Sequence, residues 1–351
     1  TVFLHSNDPA APVASFLWQL KIRDFPSVTG LSAAQSAAGD GLVNLSAALN
    51  DADGEPLDLS LHWSRDNGKT WQPAPLTNLT SALCALPAAA PGGTLTNLPT
   101  AASGALLTNT LAAAWATRLA EPALAVSTQT LLRVTADNGF FAKTFLTAPF
   151  PVDNVPPAFL PGALSAAPLS PNGPYAVTGG PLALIWPAAS DAPFTNLTYR
   201  LEAPAATNAT PATAADLDLA AHLDATHTFR VTALDAAGNA SAPLTLTLLV
   251  LDPAADYDRD GMTTADEETA GTSAADPAAR FVVALDAATQ ALAWQSAPGR
   301  LYTVEATPSL QPADWQPLPG LTDIPGTGET LTIPLPAGQP SLFLRLRVRL
   351  P

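Results

Sequence analysis

Short apolar runs alternate with polar positions along most of the chain. Runs of Val, Leu, Thr and Phe are separated by Pro, Gly, Asn and Asp about every ten residues, the spacing of strands in β-sandwiches. The last run places Leu344, Leu346 and Val348 on one face and arginines on the other, which is the period of a strand with one buried face. The predicted strands include Leu57–Trp63, Thr130–Thr135, Thr198–Glu202, Thr228–Ala233, Leu244–Val250, Tyr302–Glu305 and Leu342–Val348. The pattern predicts an all-β fold.

Helix signals are weak. The alanine-rich stretches 106–119 and 212–222 have helical propensity, although the first is equally compatible with a strand around Trp115. The stretch 87–108 is rich in Ala, Pro, Gly and Thr, and it predicts a long, poorly structured insertion.

Proline-rich joints divide the chain. The main breaks follow Phe25-Pro26, the dipeptide Pro156-Pro157, which favours extended geometry, and Asp252-Pro253. The predicted modules are an N-terminal hairpin (1–24), a β-sandwich with the long insertion (25–153), a second β-sandwich (154–252), an acidic loop segment (253–280) and a small C-terminal β-module (281–351).

Charge and composition exclude several classes of protein. The 351 residues carry 15 Lys and Arg against 30 Asp and Glu, a net charge of −15. Such acidity without basic clusters argues against binding to nucleic acid or to anionic membrane surfaces. The single cysteine, Cys84, excludes an internal disulfide framework, and the apolar runs are shorter than the roughly 18 residues of a membrane span.

The strongest chemical signal is the acidic loop 256–267. Its sequence, DYDRDGMTTADE, fits the calcium-loop pattern D-x-D-x-D-G-x5-E at every fixed position. Ca²⁺ takes six to eight hard oxygens, and Gly261 permits the sharp turn that gathers them. The predicted ligands are the carboxylates of Asp256, Asp258 and Asp260, the carbonyl of Met262, Thr264 through water, and bidentate Glu267. The alternative is a solvated acidic linker that binds no metal. Because only one such loop is present in the sequence, a structural calcium site is favoured over a calcium sensor.

The stretch from Asp256 to Phe281 resembles the calcium-binding thrombospondin type 3-like segments of secreted bacterial multidomain proteins. The module that follows is similar to their C-terminal β-modules, through Ala293–Ser296, Pro298–Tyr302, the Trp315 region and Phe343–Arg349. The resemblance implies secretion and adds Asp276 as a further calcium ligand. Neighbouring repeats of such segments are missing from this chain.

Two other motifs predict turns. The stretch Ser64–Trp71, SRDNGKTW, resembles an Asp-box, S-x-D-x-G-x-T-W, in which Asp66 bonds turn amides and Trp71 packs beneath the hairpin. This motif is structural in the sialidases where it recurs, and one copy implies no catalysis. Asp51 and Asp53 either form a second cation loop or belong to a turn, and the turn is favoured because few carboxylates converge there.

The module ends carry a further resemblance. Leu132–Gly139, Pro149–Asn154 and Arg230–Asn239 resemble the ends of immunoglobulin-like modules in the same secreted bacterial proteins. The predicted fold is therefore a tandem of immunoglobulin- or fibronectin-like β-sandwiches with a calcium loop and a small C-terminal β-module. In these segments Asp, Gly and Asn are expected to form strand-connecting turns.

The N-terminal segment predicts a hairpin from Thr1–His5 and Ser15–Ile22. The stretch His5–Pro12 resembles the final hairpin of another immunoglobulin-like family of extracellular bacterial proteins, but the rest of that domain is absent. An isolated two-stranded hairpin is marginally stable at best. It either packs on the edge of its own chain or donates strands to a neighbouring subunit or to a cleaved upstream part. The second alternative predicts a homo-oligomer or polymer.

These features favour a secreted, non-catalytic structural protein, a subunit of an extracellular fibre or surface layer or an adhesive stalk, stiffened by calcium. No catalytic residues are proposed, since neither Thr1 nor Cys84 has the surroundings of a nucleophile. Because the chain begins without Met, its start is expected to result from cleavage. The alternatives are a processed accessory region of a larger secreted protease or glycosidase, and a carbohydrate-binding array in which some of the seven tryptophans contact a glycan or cell-surface ligand.

Overall fold

The computed structural model describes residues 2–3, 17–18, 22–100, 108–120, 124–177, 180–204, 206–335 and 343–351. Within these residues the regular secondary structure is almost entirely β-strand, with one short α-helix, α1 (Thr264–Ala270), and one turn of 3-10 helix (Thr117–Leu119). None of the helices described is long and apolar enough to span a membrane.

The first β-sandwich is antiparallel. Its strands are β3 (Ser27–Gln35), β4 (Leu42–Asn50), β5 (Leu57–Ser64), β6 (Gln72–Pro73), β7 (Leu76–Ser81), β8 (Ala89–Ala90), β9 (Thr94–Leu98), β10 (Asn109–Ala116), β11 (Val126–Asp137), β12 (Ala142–Leu146) and β13 (Phe150–Asp153). One sheet has the order β3-β4-β10-β7-β8, and the other has β12-β11-β5-β6, with β9 beside β5 and β13 beside β11. Both sheets contribute to a single core, in which the rings of Trp63 and Trp115 lie 5.3 Å apart.

Part of the expected insertion is ordered. Residues 89–90 and 94–98 pair with β7 and β5, so the prediction of a poorly structured segment is wrong there. Leu95 and Leu98 are buried in the core, which fixes the segment in spite of its Pro and Gly content. Residues 101–107 lie outside the described residues. The alanine-rich stretch that follows forms strand β10 around Trp115 and not a helix.

The second β-sandwich follows the Pro156-Pro157 joint. Its strands are β14 (Ala158–Phe159), β15 (Ser165–Ala167), β16 (Tyr175–Val177), β17 (Leu182–Ile185), β18 (Ala189–Ser190), β19 (Thr198–Ala203), β20 (Ala206–Thr210), β21 (Ala214–Leu217), β22 (Ala225–Leu234) and β23 (Leu244–Leu251). A three-stranded sheet, β15-β17-β21, and a five-stranded sheet, β16-β23-β22-β19-β20, share a core that contains Trp186 and Phe229. The stretch 212–222 contains strand β21 and no helix.

The C-terminal module is a small pair of sheets. Its strands are β24 (Val283–Asp286), β25 (Ala291–Gln295), β26 (Leu301–Thr307), β27 (Gln316–Pro317), β28 (Ile324–Pro325), β29 (Thr330–Pro334) and β30 (Phe343–Arg349). The core contains Trp294 and Tyr302, and Leu344, Leu346 and Val348 of β30 pack against it as the alternation predicts. The predicted all-β chain of tandem β-sandwiches with a small C-terminal β-module is thereby confirmed.

The chain forms two compact units. The first contains residues 1–158 together with the loops 190–197 and 234–241, and the second contains the rest of the second sandwich, the acidic loop segment and the C-terminal module. At the N-terminus, β1 (Val2–Phe3) and β2 (Leu17–Trp18) pair antiparallel as a separate two-stranded sheet.

The Asp-box turn between β5 and β6 has the predicted geometry. Asp66 Oδ1 accepts hydrogen bonds from Ser64 Oγ at 2.7 Å and from the Thr70 amide at 2.9 Å, and Asp66 Oδ2 accepts one from Thr70 Oγ1 at 2.6 Å. Gly68 has a φ of +85°, and a Cβ at that position would lie 3.3 Å from the Trp71 ring. The bonds from Thr70 and then from Ser64 hold the pKa of Asp66 well below its usual range.

Replacement of Asp66 by Asn is expected to destabilise the first unit at neutral pH. A folded-state pKa below that of the unfolded chain means that the charged carboxylate stabilises the fold above the unfolded pKa of about 3.9, and that this stabilisation is lost as the pH falls. The difference in the free energy of unfolding between wild type and Asp66→Asn, measured with urea, should therefore be larger at pH 7 than at pH 3. Asp24→Asn, at an exposed position of the same unit, controls for the lost charge. An equal difference at both pH values would contradict the role of the charge.

Candidate metal centre

The acidic loop lies between β23 and β24 and gathers its carboxylates at one point. One oxygen each from Asp256, Asp258 and Asp260 lies within 4.8 Å of the other two. Ligands on opposite sides of one calcium ion are about 5 Å apart, because Ca–O distances are about 2.3–2.6 Å. The three side chains are therefore close enough to share one ion.

The loop backbone explains this convergence. Gly261 has a φ of +100° and Arg259 a φ of +65°, so the chain turns sharply around the carboxylates. The amides of Asp260 and Gly261 donate to the two oxygens of Asp256 at 3.1 and 3.0 Å, and the amide of Met262 donates to Asp260 Oδ1 at 2.8 Å. The positive φ of Arg259 and Gly261 turns the chain so that successive amides point toward the carboxylates.

Glu267 is held against the loop by helix α1. Thr263 caps the helix by accepting a hydrogen bond from the Asp266 amide, and Gly271 ends it with a φ of +84°. Glu267 is completely buried, and its Oε2 has no hydrogen-bond partner within the described part of the chain. Burial, reinforced by the charges of Asp258 and Asp260, raises the pKa of Glu267 to about 7. This side chain is thus a buried acid that a cation would stabilise in its charged form.

The remaining predicted ligands are placed differently. Thr264 is buried, and both its amide and its Oγ1 donate to the carbonyl of Ala255, at 2.7 and 3.1 Å. The side chain of Thr264 therefore bonds the main chain. Asp276 is exposed and lies outside the group of three converging carboxylates. Burial, followed by the charges of Asp260, Asp256 and Asp276, raises the pKa of Asp258, so Asp276 does add to the negative field of the loop.

One arginine partly offsets the negative charge. Arg280 Nε lies 3.5 Å from Asp260 Oδ2, and its guanidinium donates to the Asp260 carbonyl oxygen. Three converging carboxylates and Glu267 still outnumber this single positive group. An all-oxygen, anionic donor set is the type preferred by hard divalent cations, so the acidic cluster can hold a metal ion.

The helix beside the loop is also bonded to the modules on both sides of it. The carboxylate of Glu268 accepts from Ser170 Oγ at 2.6 Å, Asn172 Nδ2 at 3.1 Å and the Tyr175 hydroxyl at 3.2 Å. Arg300 of the C-terminal module donates to the carbonyls of Glu268 and Thr269 at 2.8 and 3.2 Å. Glu268 could not be identified from the sequence, because it belongs to no motif and its hydrogen-bond partners are distant along the chain.

The second acidic candidate from the sequence is a turn. Asp51 Oδ1 accepts from the amides of Asp53 and Glu55 at 3.0 and 3.4 Å, and Asp51 Oδ2 accepts from Asn138 Nδ2 at 2.8 Å. The carboxylate of Asp53 accepts from the Asp24 amide at 2.8 Å. These contacts agree with the favoured interpretation of Asp51 and Asp53 as turn residues.

The tryptophans described do not form an exposed row. Trp63, Trp115, Trp186 and Trp294 are buried. Trp71 and Trp315 are half-buried, and each is covered by an arginine, 4.3 Å from Arg133 and 4.5 Å from Arg345 respectively. Cys84 is half-buried, and Thr1 lies outside the described residues.

The sequence matches no protein-family model, and no curated protein matches it. Among solved structures, the chain is similar to fibronectin(III)-like modules of Clostridium thermocellum CbhA, with 15% identity, a TM-score of 0.35, and 65% of this chain and 94% of that chain covered. It is similar to the FN1–FN3 domains of chicken CNTN1, with 7% identity, a TM-score of 0.24, and 93% and 92% covered. A Salmonella alpha-2-macroglobulin mutant is 14% identical, with a TM-score of 0.20, and 99% of this chain and 24% of that chain covered. Similarities at this level do not support an inference about function.

Proposed function

We propose that the chain is a secreted, non-catalytic structural protein whose β-modules are stiffened by calcium. The observation that carries the proposal is the acidic loop beside buried Glu267, whose Oε2 has no hydrogen-bond partner among the described residues. Glu267 lies on a helix that is bonded through Glu268 and Arg300 to the modules before and after it. A calcium ion in this loop would fix the helix and therefore the contacts that it makes on both sides.

The chemistry of the loop favours an extracellular location. Calcium loops of extracellular modules bind with Kd values of about 10⁻⁴ to 10⁻³ M, which suits a compartment with abundant calcium. One loop closed by a short helix is a structural site in this proposal, since no paired calcium loop is recognisable in the sequence to make it a sensor. The resemblance to secreted bacterial multidomain proteins supports the same compartment.

The N-terminal hairpin is the proposed means of assembly into a fibre or surface layer. β1 and β2 pair only with each other within the described residues. An isolated two-stranded sheet is at best marginally stable, and it becomes more stable when it adds to a larger sheet. In this proposal, β1 and β2 of the N-terminal segment add to an exposed sheet edge of a second copy of the chain.

Light scattering of the purified chain in millimolar calcium tests this assembly. The full chain is expected to form a polymer or long oligomer, and a variant that lacks residues 1–21 is expected to be a monomer. This truncation keeps Arg23, which pairs with Glu55, and Asp24, whose amide bonds Asp53, so the start of the first sandwich stays anchored. A monomeric full chain would contradict assembly through the hairpin and would favour an accessory region of a larger secreted enzyme.

A further inference from the structure

Three more carboxylates meet in the first compact unit, away from the acidic loop. Asp153 ends β13, Asp191 follows β18, and Asp235 follows β22; the loops 190–197 and 234–241 both belong to this unit. One oxygen from each residue lies within 4.8 Å of the other two. Unlike the exposed acids of a solvated surface, the three side chains are 5%, 7% and 7% exposed.

The hydrogen bonds of this cluster leave oxygens without donors. Asp235 Oδ1 and Oδ2 accept from the Asn239 amide and from Asn239 Nδ2 at 2.8 and 2.7 Å. Asp153 Oδ1 accepts from the Val155 amide at 3.0 Å. Asp153 Oδ2 and Asp191 Oδ2 are buried and lack a hydrogen-bond partner among the residues that the structure describes. Buried polar atoms are nearly always paired, so two such oxygens in one cluster point to a missing ligand.

The charge of the cluster is also unbalanced. None of the ion pairs formed by the described residues includes any of the three aspartates. Arg118 approaches only as far as Asn239, donating to its Oδ1 at 2.8 Å. Asn239 in turn directs its Nδ2 toward Asp235 and toward the main-chain oxygen of Asp153. Three buried carboxylates without a positive partner are strongly unfavourable unless a cation or a proton neutralises them.

We propose that Asp153, Asp191 and Asp235 form a second calcium site, in the first compact unit. The donor set contains only oxygens, with no His or Cys, and this composition selects a hard cation over a transition metal. The separation of the oxygens is within the span of ligands around one calcium ion. The ion would join three chain segments that are distant in sequence, so its binding would stabilise the fold of this unit.

A shared proton is the rival explanation. Burial, followed by the charges of Asp153 and Asp235, raises the pKa of Asp191 to about 6. Burial also raises the pKa of Asp153. If a retained proton and not a cation neutralises the cluster, titration with calcium at pH 7.5 should find no ion there, so direct measurement of bound calcium separates the two explanations.

Isothermal titration of the calcium-free full chain with calcium alone, at pH 7.5, tests the proposal. Wild type is expected to bind two ions per chain. Asp191→Asn and Asp235→Asn should each bind one, and so should a variant of the acidic loop, Asp258→Asn with Glu267→Gln. Asp137→Asn, an exposed aspartate of the same unit, is the charge control and should bind two. Because Asn removes repulsion, Asp191→Asn should be at least as stable as wild type in EDTA and less stable than wild type in calcium.

The outcomes separate this proposal from that of the acidic loop. One ion in wild type that survives Asp191→Asn and is lost in the double variant of the acidic loop would overturn the second site and support the loop. One ion that is lost in Asp191→Asn and kept in the double variant of the acidic loop would support the second site and contradict the loop. Two ions that persist in both Asp191→Asn and Asp235→Asn would overturn the second site, as would the absence of binding.

Discussion

Chelation of calcium with EDTA is expected to lower the melting temperature of the second compact unit and to make residues 251–280 the first segment cut by protease. A ligand that binds only the folded state stabilises it by RT ln(1 + [L]/Kd), about 2.7 kcal/mol at 100 times Kd, which is about 10 mM calcium for a Kd of about 10⁻⁴ M. For a unit of this size that free energy corresponds to roughly 5 to 10 °C. Without the ion, repulsion among Asp256, Asp258 and Asp260 would open the loop and expose its backbone.

Calorimetry with and without EDTA, together with limited proteolysis, provides the measurement. Glu267→Gln should abolish the calcium-dependent shift of the second unit, because it replaces the buried carboxylate that is proposed to close the coordination shell. Asp266→Asn is the matched control in the same loop. It removes one negative charge from an exposed side chain and retains an oxygen that can accept the bond from Thr263 Oγ1. A melting curve that EDTA leaves unchanged would argue against the site.

The β-architecture could be predicted because the alternation of apolar and polar residues along a strand follows directly from burial of one face. In β30, Leu344, Leu346 and Val348 face the core and their neighbours face outward, so a sequence period of two was sufficient. The convergence of Asp256, Asp258 and Asp260 was predictable for a similar reason. These residues lie within one stretch of twelve residues, and the loop backbone fixes their spacing.

Predictions from composition were wrong at two places where a few buried apolar side chains outweigh the local conformational preference of the sequence. The stretch 87–98 has the Ala, Pro and Gly content of a loose insertion, yet Leu95 and Leu98 bury themselves against the sandwich and form β9. In β10, alanine propensity favours a helix, but the strand buries Leu111, Ala113 and Trp115 on one face. Tertiary packing overrides local propensity in both places.

Clusters assembled from distant segments cannot be found from spacing. Asp153 and Asp235 could be identified only as turn residues, and Asp191 belongs to no motif. Their proximity depends on how the loops 190–197 and 234–241 join the first unit, which no local pattern encodes. Glu268 is similar, since its partners Ser170, Asn172 and Tyr175 lie almost a hundred positions earlier in the chain.

Replacement of Trp115 by Ala is expected to destabilise the first compact unit by about 3–5 kcal/mol. Trp115 is completely buried on the central strand β10, opposite Val43 and Leu76, and its ring lies 5.3 Å from that of Trp63. An aromatic side chain of this size buries about 150–250 Å², and its removal leaves a cavity that the two sheets cannot easily close.

Two further variants make this prediction specific to packing. The Trp115 indole N–H is buried and has no hydrogen-bond partner within the described part of the chain. Trp115→Phe removes this donor and keeps an aromatic ring, so it should cost much less than Trp115→Ala. Trp71→Ala removes a half-buried tryptophan of the same unit, whose contact with Arg133 contributes about 0.5–1 kcal/mol. Calorimetry of the first unit should show a much larger loss of stability for Trp115→Ala than for Trp115→Phe or Trp71→Ala. Equal losses for Trp115→Ala and Trp71→Ala would show that the stability of the sandwich does not depend on the core around Trp63 and Trp115.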